Sequence, residues 1–166
     1  MSTPLFAIRP ARPADAVALA ELRALLFCES GQAHVESEAD FRVRCRAAYV
    51  ESFTSGAAFA WVAQDEAGDI VSAITVLLHP RLPTPALPGT IEGYVAGVYT
   101  TPACRRRGLA TALLRAATED ARRRGFARLR LHTTVAGRRV YVAHGFIPRE
   151  DEMELALGPG GTPPTS

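Results

Sequence analysis

Residues 91–124 constrain the fold of this chain more than any other segment. Their first ten residues, IEGYVAGVYT, are rich in β-branched and aromatic side chains, which suit a half-buried strand. Pro102 cannot donate to a β-ladder and ends that strand. From Arg107 onward apolar residues recur at helical spacing, and three arginines followed by Gly125 form a cationic last turn with a glycine stop. The segment therefore predicts a strand, an arginine-rich turn and a long helix.

The turn between this strand and this helix is predicted to bind an anion. The first N–H groups of a helix have no intrahelical acceptor and lie at the positive end of its macrodipole. Arg105, Arg106 and Arg107 add guanidinium groups that suit bidentate phosphate contacts. Gly108 allows the backbone to approach a ligand closely. Together these residues predict a pyrophosphate site.

The composition excludes several other kinds of phosphate or catalytic site. A nucleotide-hydrolysing loop requires lysine, whereas all 19 basic residues of this chain are arginine. Gly97 and Gly108 are too far apart for a dinucleotide-binding glycine triplet. The sequence has no Gly-x-Ser-x-Gly elbow, and its His and Cys residues lack the spacing of metal ligands, so no metal site is predicted. A pyrophosphate ligand that carries its own reactive group remains.

Length and composition indicate one globular domain. A chain of 166 residues can bury roughly 70% of its unfolded surface. The net charge of +2 is too small for general binding to polyelectrolytes. Because there is no signal peptide and no apolar run of the ~18 residues that cross a bilayer, we expect a cytoplasmic protein. The cysteines are expected to be free thiols, and Cys104 in the anion loop is either a reactive thiol or a small residue that fills the turn.

The other elements follow from periodicity, caps and turn residues. The sequence predicts strands at 6–9, 58–64, 70–78, 129–133 and 152–157 and helices that begin near Pro13 and Ser37 and span 137–144. The proline-rich segment 79–89 is a surface loop, either a connector or the wall of a substrate pocket. This order predicts an α/β (α+β) domain over residues 1–157 with a mixed, mostly antiparallel sheet. Residues 158–166 are expected to form a disordered tail.

Two motifs resemble the GNAT superfamily of acyl-CoA-dependent N-acyltransferases. Residues 102–110, PACRRRGLA, are similar to its acyl-CoA-binding loop, whose core pattern Arg/Gln-x-x-Gly-x-Gly/Ala is met by Arg105, Gly108 and Ala110. Residues 141–146, YVAHGF, resemble its later Tyr-x-x-x-Gly-Phe motif at the expected distance. The resemblance is strong over residues 91–146 and weaker over residues 7–78.

The resemblance implies a fold and a reaction. The implied fold is a GNAT-like, mixed and mostly antiparallel sheet of about six to seven strands, flanked by about four helices and splayed between two parallel central strands. The implied reaction moves an acetyl group from acetyl-CoA to a primary amine by direct attack in a ternary complex. The implied cofactor-binding residues are Val98, Tyr99, Thr100, Arg105, Arg106, Arg107, Gly108, Leu109, Ala110, Thr111 and Thr134. Thr134 stands where many members carry asparagine.

The resemblance also implies two catalytic residues. Tyr141 would lie near the thioester sulfur, where a phenol with an ordinary pKa of ~10 suits a departing thiolate with a pKa near ~8.5. Glu92 is the first candidate for the base, since some family members use a glutamate on this strand. A solvated carboxylate at the strand end is an equal expectation, and His132 or a water relay are the alternatives. Strand alternation places Glu92 on one face with Tyr94, Ala96, Val98 and Thr100.

Two other classes of function stay open at this stage. One is a non-catalytic, acyl-CoA-binding regulatory domain. The other is an arginine-rich nucleic-acid-binding protein, which the near-neutral net charge and the lack of aromatic residues within the arginine runs disfavour. The acceptor is not specified: a small amine, an amino acid, a peptide N-terminus or a drug all fit. A homodimer formed through the last strands is a further expectation.

Overall fold

The computed structural model describes residues 5–31 and 37–149. These residues form five strands and four α-helices, with short 3-10 turns at Pro13–Asp15 and Pro102–Cys104. In chain order the elements are β1 (Ala7–Pro10), α1 (Ala16–Ser30), α2 (Glu38–Thr54), β2 (Ala58–Gln64), β3 (Ile70–Pro80), β4 (Ile91–Thr100), α3 (Leu109–Arg123), β5 (Leu129–Leu131) and α4 (Val135–Ala143). The predicted strand 152–157 and tail 158–166 lie outside the described residues.

The five strands form one sheet in the order β1-β2-β3-β4-β5. Neighbours from β1 to β4 are antiparallel, and β4 and β5 are parallel, which confirms the predicted mixed and mostly antiparallel sheet. The described residues contain five strands rather than six or seven. β5 pairs with β4 only over residues 93–95, whereas β4 continues to Thr100. The sheet therefore opens between its two parallel strands.

Helices cover both faces of the sheet. On one face α3 buries Leu113, Leu114 and Ala117 almost completely, as its predicted apolar stripe requires. On the other face α1 and α2 pack with Leu19 and Tyr49 in a second core cluster. Because helices cover both faces of the sheet, β2 and β3 carry nearly continuous apolar side chains.

Capping residues set the helix ends, and the start of α2 at Ser37 is as predicted. The hydroxyl of Ser37 accepts a hydrogen bond from the Asp40 backbone N–H at 3.1 Å and begins α2. Gly31, at φ 68°, ends α1 in the left-handed region. α3 begins at Leu109, after the predicted start near Arg107, because Arg106 (φ 60°) and Gly108 (φ 76°) are both left-handed and do not continue a helix.

A β-bulge lies at Ala96 in the middle of β4. Thr75 of β3 pairs with Gly97, while the next residue, Val76, pairs with Val95. Ala96 is therefore an extra residue in β4 with no pairing partner in β3. Such an insertion reverses the side-chain alternation beyond it.

Because of the bulge, side chains in the second half of β4 lie on the opposite face of the sheet from the one predicted. Before it, Val95 packs in the core cluster under α3, so Glu92 and Tyr94 face α1 and α2. After it, Val98 packs against the α3 cluster and Tyr99 lies in the α1/α2 cluster. The expectation that Glu92 shares a face with Val98 and Thr100 is therefore wrong.

Gly93 is predicted to be essential for the packing of β4 against β5. A Cβ atom at this position would lie 2.5 Å from Leu129 Cδ2 and 2.9 Å from both Phe126 Cδ2 and Val76 Cγ1. We expect Gly93→Ala to lower the free energy of unfolding by about 1–3 kcal/mol because the core must move to accept the methyl group. Urea denaturation followed by circular dichroism measures this loss.

Gly97→Ala is the matched control on the same strand. Its added Cβ would lie 3.3 Å from Leu26 Cδ2 and 3.4 Å from Arg23 Nη1, which are the ends of flexible side chains. A smaller loss of stability is expected there, and equal losses in the two variants would contradict the packing account.

Candidate active site

The loop between β4 and α3 presents a helix N-terminus to open space. The N–H groups of Leu109, Ala110 and Thr111 occupy the first turn of α3 and have no intrahelical acceptor. Gly108 is the N-cap, and a Cβ atom built on it would meet nothing within 4 Å. The arrangement fits the predicted pyrophosphate site, because three amides lie at the positive dipole end of a helix and the described residues leave space beside Gly108.

The guanidinium of Arg105 is held by the protein itself. Its Nη2 lies 2.6 Å from Glu29 Oε2, its Nε donates to the Thr100 carbonyl at 3.0 Å, and its Cζ is 5.6 Å from the centre of the Tyr99 ring. Arg105 therefore fastens the loop to the end of α1. A phosphate contact through its backbone amide stays a prediction. The guanidinium of Arg107 lies over the Phe6 ring at 5.8 Å.

Glu29 connects α1 to both β4 and the loop. It accepts a hydrogen bond from the Tyr99 hydroxyl at 2.7 Å in addition to its contact with Arg105. Burial and this carboxylate raise the pKa of Tyr99 to about 12, and the hydrogen bonds from Tyr99 and Arg105 hold the pKa of Glu29 below its ordinary value. Sequence reasoning missed Glu29, because its partners lie 70 and 76 residues away and no local pattern marks it.

Beyond Val95, the side of β4 that faces away from β3 has no strand partner among the described residues. Val98, Tyr99 and Thr100 lie on this part of β4, so their main chain can pair with an extended ligand as a strand would. Thr134, the other predicted contact, begins α4: its hydroxyl accepts from the Gly137 N–H at 3.2 Å. Its contact with the cofactor stays a prediction.

Tyr141 lies on α4 and is partly buried. Its ring packs edge-on against Phe146 with 5.8 Å between the ring centres. Burial raises the pKa of its phenol, so the group stays protonated at neutral pH and can act as an acid. Tyr141 also lines a pocket of about 390 Å³ together with Leu131 and His132.

Glu92 is held by three arginines. Its carboxylate lies 2.6 Å from Arg128, 3.4 Å from Arg130 and 3.6 Å from Arg81, and only 8% of the residue is exposed. Burial alone would raise the pKa of this carboxyl, but the hydrogen bonds and charges of Arg128 and Arg130 outweigh it and hold the pKa below its ordinary value. A carboxylate in this state binds a proton weakly, so its predicted role as a base has no electrostatic support.

A tyrosine–histidine pair lies closer to the bulge. The hydroxyl of Tyr94 is 2.8 Å from His132 Nδ1, and the His79 ring stacks parallel to the Tyr94 ring at 5.8 Å. Tyr94 is two residues from Ala96, about 7 Å along a strand, while Glu92 is about 13 Å away. The sequence marked His132 as an alternative base but gave no sign of its contact with Tyr94.

Two further cavities border the sheet. A pocket of about 270 Å³ lies on the α1/α2 face, where Arg23, Tyr49 and Thr75 meet the bulge at Ala96. A larger cavity of about 620 Å³ lies toward the C-terminal half of α3 and extends to Arg149, the last described residue, away from the 105–111 loop.

Neither a metal cluster nor a membrane span was found in the part of the chain that the structure describes. No group of three or more His, Cys, Asp or Glu residues there is placed to hold a metal ion. No helix there has the length and apolar character that a bilayer crossing requires.

A parallel pair of strands that separates beside a helix N-terminus suits a ligand that has an extended part and an anionic group. The sequence model of the acetyltransferase (GNAT) family matches residues 19–146. The chain therefore belongs to this family. It is an N-acetyltransferase with acetyl-CoA as its acyl donor, as the resemblance implied.

Several solved structures share the fold of this chain. A GCN5-related N-acetyltransferase from Ralstonia eutropha is similar at 26% identity and a TM-score of 0.81, over 93% of this chain and 100% of that chain. A predicted acetyltransferase from Clostridium acetobutylicum, solved with acetyl-CoA, is 22% identical with a TM-score of 0.83, over 92% and 97%. Glucosamine-6-phosphate N-acetyltransferase from Arabidopsis thaliana is 17% identical with a TM-score of 0.69, over 93% and 99%. No curated protein sequence matches the chain significantly.

Gly108 is predicted to be necessary for binding acetyl-CoA. Gly108→Asp places a carboxylate where the pyrophosphate is expected, whereas Gly108→Asn has nearly the same shape without the charge and tolerates the left-handed conformation. We expect Gly108→Asp to weaken acetyl-CoA binding at least tenfold more than Gly108→Asn, measured by isothermal titration calorimetry. Equal affinity in the wild type and Gly108→Asp would rule out this location for the pyrophosphate.

Proposed function

We propose that this protein acetylates a primary amine by direct attack of the amine on acetyl-CoA, with both substrates bound together. The observation that carries the proposal is the continuity of the site. β4 loses its β5 partner after Val95 and leads directly to the helix N-terminus behind Gly108. The α1/α2 pocket meets the same strand at Ala96, which gives the acceptor its own approach to the reacting group.

The donor would be held mainly by main-chain groups. The backbone of Val98, Tyr99 and Thr100 would pair with its extended arm, and the amides of residues 105–111 would hold its pyrophosphate. Thr134 adds one hydroxyl to the proposed set. When bound, acetyl-CoA supplies an acetyl group that is activated as a thioester.

The amine must lose a proton in order to attack. An amine with a pKa of ~10.4 is neutral in only about one molecule in 10³ at pH 7, so a proton acceptor close to the bulge raises the rate. We assign this role to the Tyr94–His132 pair, because it is near Ala96 and its hydroxyl and imidazole nitrogen lie within hydrogen-bond distance and can pass on a proton. Glu92 is the alternative; its three arginine contacts instead suit a role in holding β4 and β5 together.

Tyr141 supplies the proton for the leaving group. A carbon–nitrogen bond forms and the carbon–sulfur bond breaks, so the electron pair of that bond stays on the thiolate. The protonated amine gives its first proton to the Tyr94–His132 pair before the attack, and its nitrogen loses a second proton to solvent once the carbon–nitrogen bond has formed. The phenol of Tyr141 gives one proton to the thiolate and is reprotonated from solvent. The raised pKa of Tyr141 keeps the proton on its phenol until the thiolate forms.

The contacts of the arginine runs argue against nucleic-acid binding as the main function. In the second run, Arg123 and Arg124 pair with Asp120, and Arg122 pairs with Glu119. A run that is largely neutralised in this way presents little positive field to a phosphate backbone. The homodimer and the cytoplasmic location stay predictions.

A thiol-release assay tests the proposed function. Purified protein is incubated with acetyl-CoA and a panel of amines that includes amino acids, peptides, polyamines and aminoglycosides, and acetylated products are identified by mass spectrometry. Turnover of at least one amine is expected. Binding of acetyl-CoA without turnover of any amine would favour the non-catalytic regulatory domain, and retention on nucleic acid without acetyl-CoA binding would favour the nucleic-acid class.

Tyr141→Phe is predicted to lower kcat without a change in acetyl-CoA affinity. The variant removes only the hydroxyl and keeps the ring against Phe146. A loss of about 10- to 100-fold in kcat is expected, at the lower end of general acid catalysis because a thiolate leaves readily. Steady-state kinetics together with calorimetric Kd values measure both quantities. An unchanged kcat would remove the proposed role of Tyr141.

The pH dependence of kcat/KM separates the two candidate bases. The lowered pKa of Glu92 keeps its carboxylate deprotonated throughout pH 6–9, so its titration cannot produce a rise in rate in this range. We expect His132→Gln to reduce kcat/KM by at least tenfold. Glu92→Gln should leave any rise of kcat/KM within pH 6–9 at the same pH. The opposite pattern would assign the base to Glu92.

A further inference from the structure

The pocket on the α1/α2 face has a mostly apolar wall with one cation. Its lining combines small and aliphatic side chains with a few polar groups: Ala48, Ala58, Leu77, Ala96, Cys45, Ser52, Tyr49, Thr75 and Arg23. Two of the polar groups satisfy each other, since the Tyr49 hydroxyl lies 3.2 Å from the Thr75 hydroxyl. Arg23 is the charged member of this lining, and a volume of about 270 Å³ limits the occupant to a small molecule.

Arg23 is a half-buried cation without a carboxylate partner among the described residues. Its Nη1 donates to the Ala96 carbonyl at 3.0 Å, and its Cζ lies 4.9 Å from the centre of the Phe27 ring. Other arginines of the same region are paired: Arg42 contacts Glu21 and Glu38 at 2.6 and 3.1 Å. A guanidinium has five N–H donors, so an anion in the pocket can bind to those that the Ala96 carbonyl and the nearby Tyr49 hydroxyl do not use.

The position of Arg23 limits how far an anion can lie from the reacting amine. Arg23 contacts the bulge residue Ala96, and Val95, directly before it, is the last residue of β4 that pairs with β5. The cation therefore lies where the acceptor pocket meets the opening of the sheet. An anionic group on Arg23 and an amine directed toward that opening are separated by only a few bonds in one small molecule.

We propose that the acceptor is a small primary amine that carries an anionic group close to its amine, of which an α-amino acid with a short apolar side chain is the simplest form. The inference rests on the proposed function and specifies its substrate class. The guanidinium binds the anionic group, and the small apolar wall of the pocket accepts the side chain. A polycationic acceptor is disfavoured, because the described lining offers one positive charge and no carboxylate.

Matched pairs of acceptors test this proposal. The acetylation rates of L-alanine, L-valine and L-methionine are compared with those of the corresponding amino-acid amides. An amide has the same side chain without the anion, and more of its amine is neutral at pH 7, so intrinsic reactivity favours the amide. We expect kcat/KM for at least one acid to exceed that for its amide by tenfold or more. 1-Aminoethylphosphonate forms a third arm that distinguishes a carboxylate site from a phosphate-type site.

Variants of Arg23 link the preference to this residue. Loss of a hydrogen bond to a charged group reduces binding by about 10- to 100-fold. We expect Arg23→Gln to reduce kcat/KM for the acids by this factor and to remove the preference over the amides, while the Kd for acetyl-CoA is unchanged. Arg23→Lys should retain part of the preference.

The outcomes separate this inference from the proposed function. Three results would overturn the substrate class and leave the acetyltransferase activity in place. They are equal rates for acids and amides, turnover of polyamines or aminoglycosides alone, and an unchanged preference in Arg23→Gln. Binding of acetyl-CoA without turnover of any acid, amide, phosphonate or polyamine would overturn the proposed function itself.

Discussion

The site depends on the point at which β4 and β5 stop pairing. Three residue pairs, from Gly93 to Val95, hold the parallel strands together, and the bulge at Ala96 follows immediately. A parallel pair this short leaves the next main-chain groups of β4 without a strand partner within residues 5–31 and 37–149, and an extended ligand can bind them at little conformational cost. The bulge also turns Val98 toward α3 and Tyr99 toward α1, so the strand packs on both faces while one of its edges stays open.

One carboxylate joins the donor side of the site to the acceptor side. Glu29, in the last turn of α1, contacts Arg105 of the loop and Tyr99 of β4. α1 also carries Arg23, which contacts the bulge. The helix that lines the proposed acceptor pocket is therefore bonded to the loop that is proposed to hold the donor pyrophosphate. Because Arg105 and Glu29 are both partly exposed, this contact orients the loop more than it stabilises the fold.

The chain lacks lysine, so every fixed cation of the site is a guanidinium. These arginines have different roles. Arg81, Arg128 and Arg130 surround the buried carboxylate of Glu92, whereas Arg23 has no such partner among the described residues. A buried carboxylate in contact with several cations has a low pKa and is a structural group. Arg23 instead contacts the Ala96 carbonyl and the Phe27 ring, which leaves guanidinium N–H groups for the anionic acceptor proposed above. The same residue type thus forms a structural contact at one end of β4 and the proposed acceptor contact at its middle.

The sequence by itself determined the elements and the class of protein. Helix periodicity, the cap Ser37 and the arginine-rich turn before α3 are local signals, and the strands 58–64 and 91–100 have the predicted bounds. Only the tertiary structure decided which side chains meet. The bulge at Ala96 depends on the register with β3, and Glu29, Tyr94 and Arg23 have partners 38 to 76 residues away in the chain. Such contacts follow from how helices and strands pack against each other. The spacing of residues within one helix or strand gives no information about them.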